Sequence, residues 1–185
     1  MTQAAWSSDG SRLVIGTPQG VQVWDAQTGQ EIARIAPAVG NLTSVTWAGD
    51  GKRIAVGELG VVNVWELAGD TSSSTAVAPA TEASHRHNVP GMEIGGIAHI
   101  SWRSDDSRLL SVSRNGTAEI WDAQSGAGLA WLQGHTAAVT HGAWSPGDGL
   151  VATASADGTA QWLTHRSLNS DATPWAILVV ADVHF

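Results

Sequence analysis

Ile97-Ala-His-Ile-Ser-Trp102, Arg103-Ser-Asp-Asp-Ser-Arg108, Leu109-Leu-Ser-Val-Ser113, Arg114-Asn-Gly116 and Thr117-Ala-Glu-Ile-Trp121-Asp122 follow one another without a break. Apolar and polar residues alternate in the first, third and fifth pieces, as they do along half-buried strands. Asp, Ser, Asn and Gly gather in the second and fourth, where tight turns need local hydrogen bonding and unusual backbone angles. The stretch reads as three antiparallel strands, a, b and c, joined by an a–b and a b–c turn.

The pattern recurs. Val139–Trp144, Pro146-Gly-Asp-Gly149, Leu150–Ser155, Ala156-Asp-Gly158 and Thr159–Trp162 repeat it downstream, and turns at Ser8-Asp-Gly10 and Gly49-Asp-Gly51 mark two units upstream. Tryptophans pair as Trp6/Trp24, Trp47/Trp65, Trp102/Trp121 and Trp144/Trp162. From Trp24 to Trp65 is 65 − 24 = 41 residues, and from Trp121 to Trp162 is 162 − 121 = 41; the middle interval is 121 − 65 = 56. A period of this length is the signature of a repeat array, and the longer interval places an insertion between units two and three. A fourth strand, d, follows at Glu31–Ala36 and Leu129–Leu132.

Composition narrows the functional classes. The 185 residues carry a net charge of −8 with nine Lys and Arg in no run, which argues against a phosphate backbone or an anionic membrane as partner. With no cysteine, disulfides and thiolate metal sites are excluded, which fits a cytoplasmic setting. No secretory signal is visible at Met1–Trp6, and the longest apolar run, Trp175–Ala181, is too short to span a bilayer. Ten of the eleven aromatic residues are tryptophan, and eight of those ten stand in the repeat pairs, so they read as packing anchors.

Four strands in about 40 residues, the third closed by Trp24-Asp25 or Trp121-Asp122, resemble a blade of a WD-repeat β-propeller. The runs Ala143-Trp-Ser-Pro146, Leu150-Val-Ala-Thr-Ala-Ser155 and Asp157-Gly-Thr159 are similar to bacterial members of that family. The resemblance implies an all-β fold of four-stranded antiparallel blades, about four in number, as a partial or self-completing ring. The units run over about 1–37, 38–75, 97–133 and 134–163, with an insertion loop at about 76–96. Residues 164–185 form a degenerate tail in which Ala176–Val180 suits one further strand. Three readings of so short an array stand side by side: a fragment of a longer propeller, a half-ring completed by a second copy, and a decayed product.

The family joins a Gly-His histidine, a strand-b Ser or Thr, a b–c turn Asp and the strand-c Trp in a hydrogen-bonded tetrad. Unit four supplies these as His135, Ser155 or Thr153, Asp157 and Trp162. The other units depart from it: Gln19, Leu59 and Asn115 precede the turn glycine, Glu58 lies beside Leu59, and Ala38 and Glu93 occupy the histidine offset. Units one to three are therefore expected to rely mainly on apolar packing.

The insertion holds His85, Arg86, His87, Asn88 and Met92, a candidate partner-binding loop on the rim that carries the d–a and b–c connections. A solvated loop without a partner is the competing reading. His85 and His87 alone make a poor metal site, which wants three or four ligands, so no metal or cofactor is expected. His99 and His141, each three residues before a tryptophan, read as packing residues. Asp9, Asp50, Asp105, Asp106 and Asp148 recur at the a–b turn and read as turn chemistry rather than catalytic carboxylates. Phosphate-binding, nucleophile-elbow and zinc-protease motifs are missing.

The implied function is a non-enzymatic interaction scaffold or sensor, part of a larger bacterial signalling protein, with protein partners on the loop rim and a homodimer as a further assembly. The alternatives are an enzyme with a site on that rim or in the channel, and a truncated, non-functional fragment.

Overall fold

The computed structural model describes residues 3–17, 19–35, 42–67, 75–76, 79–86 and 95–164. Their regular structure is all strand, and four antiparallel sheets follow one another along the chain. The first sheet is β1 (Gln3–Trp6), β2 (Arg12–Thr17), β3 (Gly20–Asp25) and β4 (Glu31–Ile35). The third repeats it as β10 (Ile97–Trp102), β11 (Arg108–Ser113), β12 (Ala118–Asp122) and β13 (Gly128–Leu132). The fourth has β14 (Val139–Trp144), β15 (Leu150–Ser155) and β16 (Ala160–Thr164) among the described residues.

The second sheet departs from expectation. After β5 (Ser44–Trp47), β6 (Arg53–Gly57) and β7 (Val61–Glu66), the segment expected to be an insertion loop supplies the outer strand, β9 (Pro79–Arg86). It pairs antiparallel with β7, matching Val62 with His85 and Val61 with Arg86. The extra residues therefore enter partly before strand d, within blade two. On that path the two-residue β8 (Thr75–Ala76) pairs in parallel with β4 and extends the first sheet. The sequence hid β9 because Pro79-Ala-Thr-Glu-Ala-Ser-His-Arg86 is small and polar, and apolar alternation is the signal by which strands are recognised.

Register explains the packing. Trp6, Leu13 and Trp24 lie side by side across the first sheet, as do Trp47, Ile54 and Trp65, and Trp102, Leu109 and Trp121. The adjacent row, one residue along each strand, points to the opposite face. It holds Ala5, Val14 and Val23 in blade one, Thr46, Ala55 and Val64 in blade two, and Ser101, Leu110 and Ile120 in blade three. Each blade thus has an indole face and an aliphatic face.

The indole face of one blade packs on the aliphatic face of the blade before it. Trp47, Ile54 and Trp65 join Val14, Val23 and Ala33 in one core cluster. Trp102, Leu109 and Trp121 join Ala55 and Val64, and Trp144 and Val151 join Leu110, Ile120 and Ala130. Packing between neighbours runs in a row, with β1 and β2 on β5, β5 and β6 on β10, and β10 and β11 on β14; among the described residues the row does not close.

Two junctions add an indole hydrogen bond. Trp47 Nε1 donates to the Ala5 carbonyl at 3.1 Å, and Trp144 Nε1 to the Ser101 carbonyl at 3.2 Å. At the middle junction the Arg53 guanidinium lies 5.2 Å from the centre of the Trp102 ring instead.

Candidate functional site

The polar residues of blade four converge at its b–c turn. His135, its side chain 2% exposed, sits with Nδ1 at 3.1 Å from both Asp157 Oδ2 and Thr159 Oγ1 and with Nε2 at 3.0 Å from Thr153 Oγ1. Asp157 also accepts from the Thr136 amide at 2.8 Å, the Thr159 amide at 2.9 Å and the Thr159 hydroxyl at 2.7 Å. The Thr159 hydroxyl foremost, then the Thr136 and Thr159 amides and His135, hold the Asp157 carboxyl well below the usual carboxylate range, against a smaller upward push from burial.

Two of the expected tetrad members take other parts. The strand-b partner of His135 is Thr153; Ser155 Oγ instead donates toward the Ala137 and Ala138 carbonyls, 3.1 Å from each, and accepts from the Asp157 amide at 3.2 Å. Trp162 pairs across the sheet with Ala152, and Leu163 pairs with Val151. Leu163 therefore holds the register position of Trp24, Trp65 and Trp121, and Trp162 lies on the aliphatic face beside Ala152. A one-residue offset exchanges the faces of a strand. The 18-residue spacing that suggested otherwise suits blade one, where Thr17 pairs directly with Gly20 in a shorter b–c turn than the one between Ala154 and Ala160. Counting from the turn glycine separates the cases: Gly60 to Trp65 and Gly116 to Trp121 are five residues, and so is Gly158 to Leu163.

Thr159 was not foreseen, yet an Asx-Gly-Thr signal announces it. Asn115 Oδ1 accepts from the Thr117 amide at 3.2 Å and from its hydroxyl at 2.6 Å, as Asp157 accepts from Thr159. Changing His135 to alanine strips partners from Asp157 and Thr153. We expect a loss of about 1–3 kcal/mol, the cost of one buried polar group left unsatisfied. Thermal unfolding checks this, and an unchanged Tm would refute a structural role for the histidine.

The a–b turn carboxylates divide into two sets. Asp9, Asp50 and Asp105 accept from the amide two residues on, as expected of turn residues. The Ser7 hydroxyl and then Ser11 lower the Asp9 pKa to about 2. Asp106 and Asp148 instead reach the preceding blade. Asp106 accepts from the Gly49 and Asp50 amides, both at 2.7 Å. Asp148 accepts from the Ser104 amide at 3.2 Å and from the Ser104 hydroxyl, with the Arg103 guanidinium Nε 3.7 Å away. Both aspartates have φ near +57°, at 57° and 58°, where blades one and two use Gly10 and Gly51 at 70° and 65°.

His99 and His141 form a stacked pair across the junction of blades three and four, their ring centres 4.7 Å apart and inclined at 25°. Burial first, then the neighbouring His141, lowers the His99 pKa, opposed by a bond with the Gly142 backbone. Among the described residues no group of three His, Asp or Glu side chains stands at metal-binding distance. The candidate partner loop divides as well: His85 and Arg86 are the last two residues of β9, beside the start of β7 at the b–c rim, whereas His87, Asn88 and Met92 fall outside the described residues.

Residues 87–122 and 128–162 match the family described as WD domain, G-beta repeat. Those two stretches carry WD40 repeats, and blades one and two share their strand plan. The second match opens on β13, so the sequence repeat begins one strand before the blade it leads into. No curated protein matches the chain.

Proposed function

We propose that this protein is a non-catalytic scaffold or sensor module that binds other proteins, within a larger bacterial signalling assembly. WD40 repeats in general serve protein–protein interaction, and that family match carries the reading. The local geometry supports it: the a–b turn aspartates and Asp157 are occupied by their own or neighbouring backbone amides, as in a framework that displays loops. Partners dock on the rim of b–c and d–a connections, where β9 ends at His85 and Arg86 and the chain continues through His87, Asn88 and Met92. A second copy of the chain is a further partner.

The test replaces residues 87–92 with a glycine–serine linker and leaves β9 whole. Proteins captured by the parent chain are mapped by cross-linking. The expected result is cross-links concentrated on the b–c and d–a rim, lost in the replacement while its Tm is unchanged. Undiminished capture, or cross-links elsewhere, would overturn the reading. Deleting 82–92 is the poorer experiment, because it removes most of β9.

A further inference from the structure

The blade junction is made three times in the described residues, and each end of the row presents one half of it. At the first blade the indole face is uncovered: Trp6 is 60% exposed, with Leu13, Ile15 and Trp24 only half-buried beside it. At the fourth blade no described element packs on the aliphatic face, and Ala143, Leu150, Ala152 and Ala154 are exposed beside the half-buried Trp162. Of these, Ala143, Ala152 and Trp162 hold the register positions that Ala5, Val14 and Val23 fill at the first junction. Ala143 is also the residue whose carbonyl corresponds to those of Ala5 and Ser101, the two acceptors of an indole N–H.

We infer that the indole face of blade one seats on the aliphatic face of blade four of a second copy, Trp6 donating to the Ala143 carbonyl. The inference rests on the reading that a second copy is a partner, and it specifies the surfaces and their polarity. The a–b rim supports this occupant over a blade like three or four. Those blades bring an aspartate that takes amide N–H groups from the blade before, and Ser104 and Gly49 supply them. Blade four has Pro146 at that position, which has no N–H to give. Blade one has Gly10 where the aspartate would be, and so needs none. Blade four thus offers only one of the two amides such an aspartate takes, and blade one has no aspartate that needs the other. Two such contacts related by a two-fold axis use both of these faces on each copy and close a ring of two sets of four blades.

Light scattering after size exclusion, on the full chain and on Trp6→Glu and Ala152→Glu, tests the inference. The parent is expected at twice the 19.2 kDa monomer mass. Each variant should run as a monomer with unchanged far-UV circular dichroism. Mixing the two variants should restore a dimer, since the pair retains one unaltered Trp6 face and one unaltered Ala152 face. A monomeric parent would overturn both the inference and the second copy as partner. A dimer indifferent to Ala152→Glu, or a mixture that stays monomeric, would overturn the head-to-tail surfaces while leaving self-association standing.

Discussion

Trp121→Ala is expected to cost about 3–5 kcal/mol, the range for removing a fully buried tryptophan. At roughly 2–4 °C per kcal/mol for a chain of this size, Tm should fall by about 6–20 °C. Trp121 is 0% exposed and packs with Ala55 and Val64 of the blade before, so the cavity would open inside the middle junction. Its position explains why the site collapses poorly: β6 and β11 on either side are buried almost throughout and have no room to move inward. Trp6→Ala, removing an indole exposed at the end of the row, should change stability by less than about 0.5 kcal/mol at concentrations where copies stay apart. Equal losses for the two would refute the assignment of faces.

Asp106→Gly is expected to cost about 2–4 kcal/mol, because two amides of the preceding blade lose a carboxylate acceptor. Glycine keeps the positive φ available, so the loss reports the bond between blades and not backbone strain. Asp106→Ala should cost about 1 kcal/mol more, since an alanine side chain is disfavoured at φ 57°. Chemical denaturation of the three proteins measures both differences. A glycine variant as stable as the parent would show that the aspartate contributes nothing across the junction.

The fold was readable because its signal is periodic. Tryptophans at fixed spacing, strand alternation and Asp-Gly turns each point to blades, and the sheets at β1–β4 and β10–β13 fall where that pattern places them. What escaped was whatever broke the period. β9 carries few apolar residues, so its pairing with β7 is visible only in three dimensions. Trp162 was misplaced by one residue because tryptophan spacing alone ignores the length of the b–c turn, and the turn differs between blades one and four.

The b–c turn cluster was half visible. His135 and Asp157 stand at the family's offsets and do meet, but Thr153 and Ser155 are both on β15 and only geometry chooses between them. The two kinds of turn aspartate were indistinguishable by residue type. Asp105 and Asp106 are neighbours, yet one satisfies its own turn and the other the turn before it, because only Asp106 takes the left-handed backbone position that turns its carboxylate outward.

That left-handed position also bears on how such a chain lengthens over its ancestry. A unit duplicated from blade three or four arrives with its own fastening to whatever stands upstream, provided the upstream turn supplies a free amide. A unit duplicated from blade one or two, with glycine there, arrives without that carboxylate and relies on packing and on bonds such as that of the Trp47 indole to the Ala5 carbonyl. Insertion directly after blade four meets Pro146 and loses the first of the two amides. The order of blades is therefore not freely exchangeable: the a–b rim favours inheritance of blades two, three and four as a block, with recombination between units tolerated best at the glycine-bearing end.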